Sequence, residues 1–263
     1  MGNGIVRDKF WIWGHHAESH NDHWGLTATS RMTPAEGAFY LNVPNMILVR
    51  YNDLPRPPYE QYALALRPLK QVVWSIVGAG GATEHYEVEA ARNLAEKFPN
   101  FSGVMMDDFF SDPSTGKVAV HDVESLEAIQ KQLTVADRKL DLWVVLYNHQ
   151  LEHPVGQHLE TCDVVTFWTW TADQLVDLEK NFQRAEGLAP SPRKILGCYM
   201  YDYGSRKPMP VDLMQHQCEI GLQWLRDGRI DGMIFLASCI CDLELEAVEW
   251  TREWIQQVGD KPL

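Results

Sequence analysis

Two neighbouring carboxyl groups, Asp107 and Asp108, close the apolar run Val104-Met105-Met106 in the stretch FSGVMMDDFFSD. Paired carboxyl groups are what cleavage of a glycosidic bond requires, one acting as general acid and the other as nucleophile or base. Successive residues of a strand point to opposite faces. A regular strand therefore turns Met105 and Asp107 to one side and Val104, Met106 and Asp108 to the other. That makes Asp107 the leading catalytic candidate. Asp108 is either a loop or cap acceptor or, if the strand bulges at its end, the partner of Asp107. Asp202 in MYDYGS and Glu18 in the loop GHHAESHNDHWG are the other candidates for that partner.

Polar and aromatic groups recur at the ends of the other apolar runs. They include His15 and His16, Arg50, Tyr147 and Asn148, Trp168 and Trp170, Tyr201, and Ser238. Aromatic faces stack on sugar rings, and amides, hydroxyls and imidazoles hydrogen-bond their hydroxyl groups, so these residues are the substrate-binding candidates. Trp168 and Trp170 share one face of their run with Thr166, which suits the inside of a closed sheet better than a helix contact. An unpaired charge at the end of an apolar strand is costly, so Arg50 is expected to pair with a carboxylate of the site.

The loop after the first run raises a rival chemistry. It packs His15, His16, His20 and His23 with Glu18 and Asp22. A metal-dependent hydrolase or phosphodiesterase would use His16, His20 and nearby carboxylates. Such a site also needs ligands at later strand ends. The fifth run offers His149, the sixth has no histidine, and the eighth ends in Ala237-Ser238. The expectation is therefore that no metal and no cofactor is held, and that the histidines either meet substrate hydroxyls or line a solvated loop. A third reading is a glycan-binding barrel without catalysis.

The elements that must position these groups are legible in the periodicity. Eight β-rich apolar runs are KFWIWG, NMILVRY, QVVWSIVG, SGVMMDD, LDLWVVLYN, DVVTFWTW, KILGCYMYDY and DGMIFLAS. Nearly continuous apolar runs mark parallel strands buried on both faces. Amphipathic stretches separate most of them. TPAEGAFYL opens with a Thr33–Glu36 capping box and Pro34 at its first turn. Val88, Ala91, Leu94 and Ala95 form a helical stripe, and Asp122 is a good N-cap. Only a short helix is expected in EHPVGQHLET. The pattern predicts an α/β fold, a single (β/α)8 TIM barrel over residues 1–263, with its active site at the C-terminal ends of the strands. A doubly wound open sheet fits less well. GHHAESHNDHWG carries no GxGxxG, and VGAGGAT lacks the Lys-Ser/Thr of a phosphate loop.

The net charge of −13, from 23 basic and 36 acidic residues, argues against nucleic acid or an anionic membrane as the main partner. No run has the length of a membrane span, and MGNGIVRDKFW has no leader-like apolar core, which suggests a cytoplasmic protein or an exported one lacking its leader. Cys162, Cys198, Cys218, Cys239 and Cys241 show no paired CxxC spacing and are expected to be reduced core thiols. The expected partner is a carbohydrate or glycoside, and oligomeric state is not set.

FSGVMMDDF resembles the fourth-strand motif FDGxDxDxE of family 18 glycoside hydrolases, the chitinase-like barrels. Phe101, Gly103 and Asp107 match its Phe, Gly and last Asp. Met105 replaces the middle Asp, and Phe109 stands where that family has its acid Glu. Met200, Tyr201 and Asp202 are similar to its later MxYD strand, with the tyrosine shifted by one position. More broadly, DDF at the end of strand four resembles glycoside-hydrolase-like TIM barrels of uncharacterised families. The resemblance implies sugar chemistry without naming a sugar.

Overall fold

The structure, a computed structural model, describes residues 4–111 and 113–263. Met1–Asn3, at the start of the stretch read for a leader, and Asp112 lie outside the described residues. The apolar runs form eight parallel strands: β1 (Phe10–Gly14), β2 (Asn45–Leu48), β3 (Gln71–Val77), β4 (Phe101–Met106), β5 (Asp141–Tyr147), β6 (Val164–Trp168), β7 (Arg193–Tyr199) and β8 (Gly232–Leu236). Each pairs with its sequence neighbours, and β1 also pairs with β8, which closes the barrel. Register runs Trp13 to Ile47, Met105 to Trp143 and Leu146 to Phe167.

Eight α-helices follow the strands among the described residues: α1 (Pro34–Leu41), α2 (Glu60–Ala65), α3 (Glu87–Lys97), α4 (Val123–Gln132), α5 (Gly156–Thr161), α6 (Leu178–Leu188), α7 (Val211–Arg226) and α8 (Glu246–Val258). The expected starts hold. Thr33 and Glu36 form the capping box of α1, and Asp122 caps α4 by accepting from the Ser125 N–H at 2.8 Å. The link after β5 is the six-residue helix α5. Helix α2, which follows the proline-rich LPRPPY, fills the link for which no amphipathic stretch was picked out. Two small antiparallel hairpins, at 134–139 and 201–208, were not expected.

The barrel interior is built from indoles set against glycines. Near the base, Trp11 and Trp143 meet with ring centres 4.9 Å apart. A Cβ on Gly103 would lie 2.9 Å from Trp143 Nε1, and one on Gly232 would lie 3.1 Å from Trp11 Nε1. One layer up, Trp13 and Trp168 meet in a T-shaped pair with ring centres 5.2 Å apart. Trp168 is 1 % exposed, and its indole N–H donates to Thr166 Oγ1 at 3.0 Å. A Cβ on Gly197 would fall 2.0 Å from the Trp168 ring. Close-packed interiors cannot absorb such an overlap without moving the ring. Gly197→Ala is therefore expected to cost about 1–3 kcal/mol. Chemical denaturation measures it, and a variant as stable as the parent would show that the indole moves freely.

Candidate functional site

The C-terminal ends of the strands surround a cleft with about 480 Å³ of free space, counted to its open mouth. Asp107 and Asp108 line one side, with Tyr147 beside them. Trp168, Val145 and Leu236 form the floor, while Trp170, Tyr199 and Tyr203 rise on the β6 and β7 side. His15, His20 and Trp24 come from the long loop after β1.

Both carboxyl groups reach this cleft because of one backbone turn. Asp107 follows the alternation of β4 inward, and its N–H still bonds the Val77 carbonyl at 2.8 Å. Asp108 then adopts a left-handed conformation, φ 43°. Asp tolerates that region better than most residues. The turn lies past the end of β4 and is not a bulge within it, and it brings the second carboxyl into the cleft beside the first. Asp108 Oδ1 accepts from the Tyr147 hydroxyl at 2.8 Å, and Oδ2 accepts from the Gly80 N–H at 2.7 Å. Gly80 presents that N–H from a positive φ of 71°, which a side chain would strain.

Asp107 is 5 % exposed. Burial, and next the adjacent Asp108 charge, push its carboxyl well above the usual carboxylate range. The Asp108 N–H, which donates to Asp107 Oδ1 at 2.9 Å, acts the other way. Opposite, burial draws the His15 imidazole well below its ordinary value, and the His20 charge adds to the effect. Burial and then His23 draw His20 down to about 3. Both rings are therefore neutral near pH 7. They lie 4.6 Å apart, and His20 Nδ1 shares a 3.2 Å hydrogen bond with the Tyr203 hydroxyl.

The sequence candidates divide on this geometry. Asp107, Asp108, His15, Tyr147, Trp168 and Trp170 line the cleft. The others lie outside its lining. Asp202 is buried, and its two oxygens accept from the Ala172 and Ser205 N–H groups at 3.1 and 3.0 Å, so it holds two turns together. Glu18 is exposed on the β1 loop. His16 lines a separate groove between α1 and α2. Tyr201 donates to the Trp24 carbonyl at 3.0 Å, which steadies the β1 loop. Asn148 accepts from the Trp170 N–H at 3.0 Å and donates to Gln174. Ser238 is fully buried, and its hydroxyl accepts from the His15 N–H at 3.1 Å.

Arg50 also lies elsewhere. Its expected partner was a site carboxylate, but its guanidinium lies 2.6 Å from Glu87 of α3, behind β2 and β3. Phe109, at the position where the chitinase motif has its acid, is fully buried against Phe110. Among the described residues, no three His, Cys, Asp or Glu side chains converge as metal ligands would. Tyr199 and Gly80 were missed from sequence. Inward alternation from Gly197 would have found Tyr199, but nothing local marks the Gly80 N–H.

No protein-family model matches the chain, and no curated protein sequence matches it. Solved structures do. An active domain of a thermostable chitinase from Pyrococcus furiosus, solved as catalytic-site mutants with chito-oligosaccharides, superposes with a TM-score of 0.57 at 13 % identity, covering 89 % of this chain and 85 % of that one. A family 99 endo-α-mannosidase from Bacteroides thetaiotaomicron gives 0.56 at 11 %, covering 95 % and 97 %. A xylanase and α-amylase inhibitor protein from Scadoxus multiflorus gives 0.57 at 11 %, covering 95 % and 98 %. At such identities the likeness is one of fold: this chain is a TIM barrel resembling those of glycoside hydrolases, and of a protein that inhibits such enzymes.

Proposed function

We propose that the chain is a carbohydrate-active enzyme, a glycoside hydrolase in which Asp107 and Asp108 are the working carboxyl groups. The observation that carries this reading is their convergence, through the left-handed turn at Asp108, on a cleft walled by Trp168, Trp170, Tyr147 and Tyr199. Burial and the adjacent Asp108 charge raise the Asp107 carboxyl well above its ordinary value, which favours its protonated form. Asp107 gives its proton to the glycosidic oxygen as the C–O bond breaks. Asp108, fixed by Tyr147 and Gly80, faces the positive charge that develops at the anomeric carbon. Water then adds there and gives its proton to the Asp107 carboxylate, which restores the acid. The aromatic walls hold the ring by its apolar faces. A chitinase domain of like fold was captured with chito-oligosaccharides, which favours a carbohydrate ligand here.

The test is turnover of a panel of 4-nitrophenyl glycosides by the whole protein, with Asp108→Asn as the control. Hydrolysis that disappears in the variant is expected, and hydrolysis unaffected by it sinks the assignment. Tyr147→Phe keeps the ring but removes the hydrogen bond to Asp108. Because a hydrogen bond to a charged group is worth about 1.5–3 kcal/mol, kcat is expected to fall roughly 10- to 100-fold with KM little changed.

One observation favours a second reading. Among the described residues lining the cleft, no carboxylate stands on the wall opposite Asp107 and Asp108. A glycan-binding barrel without catalysis has no need of one. Saturable sugar binding with no turnover on any glycoside of the panel would select that reading.

A further inference from the structure

We infer that this cleft is a blind pocket that admits one uncharged sugar at the end of a glycan, so that the protein removes single residues from chain ends. The inference rests on the carbohydrate reading above and narrows it to a substrate class.

The rim carries the first half. An enzyme that cuts inside a glycan needs a trough through which the chain enters and leaves. Here every strand-end loop that reaches the rim is joined to the next. The Ala79 N–H after β3 donates to the Arg50 carbonyl after β2 at 2.9 Å. Tyr51, next to Arg50, meets the His15 and His20 rings of the β1 loop at 5.6 and 5.5 Å. That loop bypasses β8, where Ser238 is buried beneath it, and reaches β7 and β6 directly. Trp24 meets Tyr203 at 5.5 Å and Trp170 at 6.4 Å. Trp170 in turn meets Tyr147 of β5 at 5.4 Å. Tyr147 bonds Asp108 after β4, and Asp108 bonds Gly80 after β3, which completes the circuit. The floor is shut by buried Trp168, Val145 and Leu236.

The lining carries the second half. No lysine or arginine is among the described residues that line the cleft, whereas two carboxyl groups are. Arg50, the buried arginine among the described residues, pairs with Glu87 and lines a different pocket. A uronic acid or another anionic sugar would bury its charge beside Asp107 and Asp108 with no cation to balance it. A neutral ring leaves only hydroxyl groups to satisfy. The Asp108 oxygens and the uncharged imidazoles of the β1 loop supply partners for those.

The experiment uses the whole protein with 4-nitrophenyl glycosides of neutral hexoses, pentoses and N-acetylhexosamines and with the matching uronides. In parallel, soluble polysaccharides are followed by both product size and viscosity. Expected are monosaccharide as the sole early product, viscosity unchanged, and the preferred neutral glycoside turned over about 100-fold faster than its uronide. Early oligosaccharide products with falling viscosity, or equal rates on the uronide, overturn the inference. If no glycoside is turned over, it is the enzymatic reading that fails. Quenching of tryptophan fluorescence by the free sugars then decides the pocket. Quenching by a neutral monosaccharide but not its uronate upholds the inference, and equal quenching or none overturns it.

Discussion

Asp107→Asn is expected to lower kcat by about 10²- to 10⁴-fold, the range typical for loss of a positioned general acid, while making the protein more stable at neutral pH. The two effects have one cause. Burial and the Asp108 charge raise the Asp107 carboxyl well above its ordinary value of 3.8. In the unfolded chain the group loses its proton near that ordinary value. Above it, the folded protein must either hold a proton against rising pH or bury a second charge. A raised folded value thus gives a contribution that is fully present below the unfolded value and is lost as pH rises through the folded one. Asparagine has the shape of the protonated acid, can still accept from the Asp108 N–H, and never ionises. Melting temperatures of the two proteins from about pH 4 to pH 8 check this. The variant is expected to gain at pH 8 and lose that gain towards pH 4. Full activity in the variant removes Asp107 from the chemistry. A pH-independent stability difference contradicts the raised value.

Arg50→Ala is expected to destabilise the protein by about 1–3 kcal/mol at about pH 8, because it removes the arginine stem and the charge that opposes a further rise of the buried Glu87 carboxyl. Arg50 and Glu87 are 8 % and 3 % exposed. Burial raises the Glu87 carboxyl to about 7, and the Arg50 charge opposes that rise. Without Arg50 the carboxyl moves higher still. Glu87 then contributes least where it would be charged, and its cost vanishes once it takes up a proton. The loss is therefore expected to be greater at about pH 8 than at about pH 5.5, where only the packing of the arginine stem is missing. Urea denaturation at the two pH values measures the difference. An equal loss at both contradicts a buried charge as the cause.

The barrel was legible because burial on both faces writes itself as unbroken apolar runs, and the caps at Thr33 and Asp122 follow from local hydrogen bonding. The site was legible only as far as strand alternation reaches. Asp107, Tyr147, Trp168 and His15 lie on or just beyond a strand and face where parity places them. Asp108 returns to the cleft because its φ changes sign, which parity does not encode. Counting inward from Gly197 and Tyr199 sets Asp202 on the outward parity, and past Tyr199 the chain leaves the barrel for a hairpin at Tyr201–Asp202. Arg50 was expected to face a carboxylate of the site and instead faces Glu87, outside the cleft. Which carboxylate it meets depends on the docking of α3, and that docking is a tertiary fact. Ser238 and His16 fall beyond strand ends, where loop contacts decide direction.

The pairing of indoles with glycines has a consequence for how this barrel can change through descent. Trp168 alone occupies the space that a side chain at position 197 would need, whereas a Cβ at position 103 or 232 would also press on a backbone carbonyl, of Asp141 or of Lys9. Neither Trp168 nor Gly197 is free to vary by itself. A glycine that gains a side chain first meets the ring, whereas an indole that shrinks first only leaves a void. Viable histories therefore run through the tryptophan before the glycine, and related chains are expected to show the two positions changing together. Combined variants should show the same order. A side chain at position 197 should cost much less when Trp168 is already leucine, a non-additivity that a double-mutant cycle reads directly.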